Sequence, residues 1–167
     1  MKTQPHRVLR LLVVFAIFLI AGCASVERAT PSSGPDSSHW HGRLALKVYS
    51  TPVQAFSANF DLRGSAESGS LTLSTSLGNT LARMQWSPTT ATLETSNGTR
   101  ASTTLSALVQ EVTGTDLPVA DLFAWLQGRN SASPPWEADL SEIDHGRLTA
   151  RRTTEPNAAE LKVLLDR

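Results

Sequence analysis

The sequence predicts a mainly β fold with two short helices set late in the chain. Three observations predict it. Apolar and polar residues alternate in several short runs between positions 43 and 95. Clusters of Gly, Ser, Thr, Asn and Pro punctuate those runs. Near residue 103 the apolar spacing lengthens to the helical repeat, and alternation returns after residue 135. At 167 residues the chain has room for one domain and hardly for two.

The elements are taken in chain order. "MKTQPHRVLR" carries Lys2, Arg7 and Arg10, and "LLVVFAIFLIA" is an apolar run of 11 residues. A bilayer span needs about 20 residues. A basic start, a short apolar run and small residues after it make residues 1–22 a secretory signal peptide. Cys23 is the only cysteine, so no disulfide forms within the chain. Ile20-Ala21-Gly22-Cys23 resembles a bacterial lipobox, in which the cysteine thiol takes a diacylglyceryl group and the freed amino group is acylated. Several acyl chains anchor stably where a single one does not. Ala24, in place of the aspartate that often marks inner-membrane retention, implies a lipid-anchored protein on the periplasmic face of the outer membrane. Residues 23–39 are then the modified cysteine and its tether. "ASVERATPSSGPDSS" has no apolar period, and as a coil it reaches roughly 20 Å. Residues 40–167 are the folded domain.

Strands follow. "GRLALKVYS" puts Leu44, Leu46 and Val48 on one face, and "AFSANFDLRG" does the same with Phe56, Ala58, Phe60 and Leu62. "SGSLTLSTS" pairs Leu71 with Leu73. "LARMQWS" aligns Ala82, Met84 and Trp86, and "ATLETS" aligns Ala91, Leu93 and Thr95. Asn97-Gly98 is the strongest hairpin turn, because both residues tolerate positive φ. About five strands thus precede the helices. In "TTLSALVQEVTG", Leu105, Leu108, Val109 and Val112 recur at helical spacing, Thr103 or Thr104 caps the start and Gly114 ends it. In "LPVADLFAWLQG", Pro118 stands at the first helical position, Leu122, Trp125 and Leu126 form the stripe, and Gly128 stops it. "RNSASPP" is a loop. "WEADLSEID", a turn at His145-Gly146, "RLTARRTT" and "ELKVLLDR" return to strand.

The 15 basic and 15 acidic residues balance, which excludes the basic stripe of a nucleic-acid binder. Past the signal peptide, 12 basic face 15 acidic residues. The search for catalysis finds no nucleophile elbow, phosphate loop or cofactor fingerprint, so neither an enzyme nor a cofactor is expected. His39 and His41 flank Trp40 without a neighbouring cysteine or carboxylate in sequence. They are read as solvated side chains rather than metal ligands. Function must then rest on surfaces and apolar volume. One residue stands out. Leu77 occupies the turn "TSLGNT", where it either folds back onto the core or projects as an apolar tip.

The lipobox, "WHGRLAL", "SLGNT" and "LVQEVTGTDLPVADLFAWLQG", in that order and spacing, resemble the LolB family of outer-membrane lipoprotein receptors. The likeness covers about residues 40–167. It implies an open, curved antiparallel half-barrel with an apolar cavity, covered by two or three short helices. It implies a monomer that accepts lipoproteins from a soluble periplasmic carrier, LolA, and inserts them into the outer membrane without using a nucleotide. The cargo's acyl chains would lie against Leu44, Leu46, Phe56, Phe60, Leu71, Leu73, Met84, Trp86 and Leu93, with Leu122 and Trp125 as a lid. The leucine implicated in membrane delivery maps onto Leu77. The short segment between Gly128 and Trp136 implies fewer strands than is usual for the family. The alternative is a lipoprotein of related fold that binds another lipid or envelope partner without transfer.

Overall fold

The computed structural model describes residues 38–132 and 134–166. The signal peptide, Cys23 and nearly all of the tether lie outside these residues. Along the described chain run β1 (Ser38–Val48), β2 (Gln54–Gly64), β3 (Gly69–Ser74), β4 (Thr80–Ser87), β5 (Thr90–Thr95), β6 (Gly98–Ser102), α1 (Leu105–Thr113), α2 (Val119–Leu126), β7 (Trp136–Asp139), a 3-10 turn (Ile143–His145), β8 (Arg147–Arg152) and β9 (Ala159–Leu165). The strands form one antiparallel sheet in the order β6-β5-β4-β3-β2-β1-β9-β8-β7. The sheet is open. β6 and β7 are its two edges, and the helices link them in sequence.

The alternation holds because paired residues point to the same side of a sheet. Register lines up Leu93, Met84, Leu71, Leu62 and Trp40 across five strands. A second row joins Phe56, Leu46, Leu161 and Ala150. β1 and β2 pair over their full eleven residues, Ser38–Val48 against Gln54–Gly64. β3 joins only the far part of β2, from Asn59 to Gly64, while β9 joins only Gly42–Val48 of β1. The long hairpin is therefore a spine carrying two blocks displaced along the strand direction. Gly42 sits where the blocks overlap, with φ at +152°, and a β-carbon there would lie 2.0 Å from the Leu164 carbonyl oxygen. Only glycine lets β1 pass this point paired on both sides.

The apolar face encloses one core. Laid flat, six strand spacings separate β5 from β8, about 29 Å. Yet Leu93 on β5 and Leu148 on β8 belong to the same buried cluster as the helices. The sheet must curl to achieve this, so the apolar face is concave. Phe123 of α2 sits edge-on to Trp40 of β1 at 5.6 Å and lies 6.3 Å from Trp86 of β4. Trp125 is fully buried, and its indole N–H donates to the Ser131 carbonyl at 2.9 Å.

Several boundaries differ from the sequence reading. Six strands precede the helices rather than five. β6 was overlooked because "GTRAS" is an almost wholly exposed edge strand, which needs no apolar alternation. Thr104 is the cap of α1, its hydroxyl accepting from the Ala107 N–H at 3.2 Å. Pro118 is the residue before α2 rather than its first turn. "WEADLSEID" is strand only through Asp139, then turns back through the 3-10 segment. Val112 is 42% exposed, outside the buried stripe of α1.

Trp125→Ala is expected to lower the free energy of unfolding by about 3–5 kcal/mol, through the lost volume and an orphaned Ser131 carbonyl. Val112→Ala is expected to stay within about 0.5 kcal/mol of wild type. Urea denaturation of both variants checks the assignment of the core.

Candidate functional site

The helices cover the concave wall only in part. α1 packs on β5 and β6, and Arg100 of β6 reaches Glu111 of α1 at 3.4 Å. α2 lies over Trp40 and Trp86. Helices of nine and eight residues are about 14 and 12 Å long, against about 37 Å for β1. The eleven candidate lining residues divide accordingly. Phe60, Met84, Trp86, Leu93 and Trp125 are buried. Leu44, Leu46, Leu71, Leu73 and Leu122 are half-buried against the core. Phe56 is 43% exposed. Leu73 with its partner Ala82, then Leu44, then Leu46 with its partner Phe56, form an apolar strip that is only partly covered and is crossed on β2 by the buried Phe60 and Ala58.

The strip begins at the foot of the β3–β4 turn. Thr75 closes that turn on both sides. Its N–H donates to the Asn79 carbonyl at 2.9 Å, and its hydroxyl accepts from the Asn79 N–H at 3.2 Å. Gly78 takes a positive φ of 85°, and its N–H donates to the Thr75 carbonyl. Asn59 Nδ2 ties the foot to β2 through the Thr75 carbonyl at 3.2 Å. Leu77 takes no part in this closure and is 87% exposed. Of the two placements open from sequence, the structure has the projecting tip.

The opposite face is polar. A groove of about 500 Å³ there is lined by His39, His41, Arg43, Asn59, Asp61, Thr72, Ser74 and Asp166, with Gly42 and Phe60 at its floor. His39 is exposed, as its reading as a solvated side chain expects, but it has a carboxylate partner that is distant in sequence. Its Nε2 lies 2.9 Å from Asp61 Oδ2, while Arg63 Nε donates to Oδ1 at 2.8 Å. The partner was missed because it comes from the neighbouring strand, where His41 pairs with Asp61. The Arg63 hydrogen bond, chiefly, holds the Asp61 carboxyl below its ordinary 3.8; partial burial opposes this and His39 adds to it. Sequence reasoning also left out the concave-wall residues Trp40, Leu148, Leu161 and Val163. The alternation in "RLTARRTT" and "ELKVLLDR" was the signal for the last three.

Residues 38–159 match the family model described as Outer membrane lipoprotein LolB. The chain belongs to the LolB family. Relatives that bear the name Outer-membrane lipoprotein LolB include three from Bordetella and Shewanella. That of Bordetella petrii is 32% identical over 160 residues, covering 81% of this chain and 80% of the relative. That of Bordetella pertussis is 35% identical over 132 residues, covering 75% and 66% respectively. That of Shewanella baltica is 27% identical over 164 residues, covering 93% and 75%. The LolB match starts where β1 starts and ends where β9 starts, so it contains the whole partly covered strip and the Leu77 turn.

Because the folded-state value of Asp61 is depressed, its stabilisation is complete above 3.8 and is lost as pH falls through the folded value. Asp61→Asn removes this dependence. The stability gap between wild type and Asp61→Asn is expected to be small, to stand at its full value just above 3.8, and to close as pH falls below 3.8 through the folded value. Urea midpoints across that range provide the check.

Proposed function

We propose that this chain accepts lipoproteins from a soluble LolA-type periplasmic carrier and inserts them into the outer membrane. The observation that carries this reading is Leu77, 87% exposed on a turn whose foot meets a partly covered apolar strip. Each methylene removed from water is worth about 0.8 kcal/mol. Acyl chains therefore need a continuous apolar path between carrier and bilayer. The strip of Leu73, Leu44, Leu46 and Phe56 offers a wall, and Leu77 offers a tip that enters lipid at small cost. Deeper seating of acyl chains against Met84, Trp86 and Leu93 requires α2 to lift, with Leu122 and Trp125 as its lid residues. In this reading residues 1–22 are removed, Cys23 carries the lipid, and the tether, residues 24–37 now that β1 starts at Ser38, holds a monomeric domain at the periplasmic face. The apolar character of the site supports binding and transfer rather than catalysis.

A second reading has one observation in its favour. Phe123, Trp125 and Leu126 are all buried within the concave face. A LolB-family lipoprotein whose core stays filled would bind another lipid or envelope partner without transfer.

A transfer assay separates them. A LolA-type carrier loaded with labelled lipoprotein is mixed with this protein, and label is followed to the protein and on to liposomes. Transfer to wild type is expected; its absence with a folded protein favours the second reading. Leu77→Glu is expected to keep stability within about 0.5 kcal/mol and to accept cargo, yet to lose delivery to liposomes.

A further inference from the structure

The turn between β1 and β2 is the other apolar prominence at this end of the sheet. Tyr49, Val53 and Phe56 are 45%, 55% and 43% exposed. Register sets Phe56 on the concave face, opposite Leu46. Tyr49 stands on the other face, where the Lys47 ammonium lies 4.7 Å from its ring centroid. Val53 lies in the turn between them. An interior cavity uses one face of a sheet. Here the concave face and the tip are apolar, and the outer face adds the half-exposed Tyr49 ring with the Arg151–Glu160–Lys162 cluster set behind it on the neighbouring strands, which is the form of an edge whose turn enters an apolar medium.

The charge pattern points to lipid rather than protein as that medium. From Val48 to Phe60 there is no charged residue. Acidic and basic groups are excluded from the acyl region, so a turn without charge can enter it while the charges behind it stay at headgroup depth. Lys47 is the first cation behind the turn. Glu160, its cross-strand neighbour, is already engaged by Arg151 at 2.8 Å and Lys162 at 2.7 Å. Among the described residues, Lys47 therefore has no carboxylate partner. A tyrosine backed by a free lysine is the pair found at membrane interfaces, with the ring at headgroup depth and the ammonium toward phosphate.

This turn is also continuous with the proposed delivery path. β3 runs parallel to β1, so the Leu77 turn leaves the sheet at the same end. It leaves five residues short of Gln54, at the level of Asn59, an offset of about 17 Å along the strands. The partly covered strip runs from the foot of one turn, at Leu73, to the foot of the other, at Phe56.

We propose that the β1–β2 turn, through Tyr49, Val53 and Phe56 with Lys47 behind them, is a second membrane-contacting element that docks this edge of the domain on a phospholipid surface. The inference rests on the reading of the protein as a membrane-delivery factor. It makes the domain touch lipid at both ends of the apolar strip.

The test uses the full chain on vesicles of phosphatidylethanolamine and phosphatidylglycerol. Val53→Cys, Leu77→Cys and Thr89→Cys each receive an environment-sensitive fluorophore. Thr89 lies in the β4–β5 turn at the opposite end of the sheet. The unsubstituted chain, treated alike, supplies the background. Quenching by nitroxide-bearing lipids is read with no carrier present. The expected result is quenching at position 53 several-fold above position 89 and comparable to position 77. Quenching at 53 no greater than at 89 overturns the proposal. So does shielding of position 53 that appears only when the loaded carrier is added and without lipid quenching, since that makes the turn a protein-docking surface. The transfer assay is independent. Quenching at 53 with no cargo transfer keeps this inference and removes the delivery reading, while transfer without quenching at 53 removes this inference alone.

Discussion

A sheet of nine strands with one apolar face has to be covered, and this chain supplies two helices of nine and eight residues to cover it. Flat, the sheet would be about 38 Å wide. Two helices side by side span about 20–24 Å. The sheet therefore curls until the helices serve strands as far apart as β5 and β8. Curling closes most of the gap and leaves the strip from Leu73 to Phe56 in partial contact with water. A fold that covered this strip would have a better-sealed core and a poorer surface for the acyl chain proposed to lie there. The site is the place where coverage runs out.

The covered part is held by aromatic side chains that pack on one side and donate on the other. Trp86, Trp125 and Trp136 are each almost wholly buried, and their indole N–H groups reach the carbonyls of Ser65, Ser131 and Asp116 at 2.9, 2.9 and 2.6 Å. An indole N–H left unpaired in the core would be costly, so burial of each ring fixes a loop as well. Ser131 is bonded in turn to Asp121 of α2, which ties the loop back to the helix it follows. Gly69 gives Trp86 its space, since a β-carbon there would stand 2.6 Å from the indole ring.

Polar and apolar character are separated by face and by end. The outer face carries the His39–Asp61–Arg63 cluster and the Arg151–Glu160–Lys162 cluster. These pairs are largely solvent-exposed, and such pairs contribute little stability each. Their consequence is that this face stays hydrated. The spine strands β1 and β2 reach past the β3–β6 block, and the step between them carries both uncharged turns. One displacement in register thus produces the apolar edge, the open strip and the two projecting tips.

By itself, the sequence determined which side chains face inward. Alternation assigned Leu44, Phe60, Met84, Trp86 and Leu93 to one face, because a strand's side chains alternate whatever it pairs with. It also determined the two helices, the cap at Gly114 and the family. It left β6 unseen, since an exposed edge strand needs no apolar pattern. Only the tertiary structure decided strand register, and with it the meeting of His39 with Asp61 and the offset of the two blocks. Only it decided coverage: Trp125 is sealed, Leu46 is half open, and Leu77 and Val53 project. The physical reason is that periodicity is a property of one element, whereas exposure depends on what other elements bring to it. A leucine in a turn is the same leucine in sequence whether or not the fold supplies a surface for it to rest on.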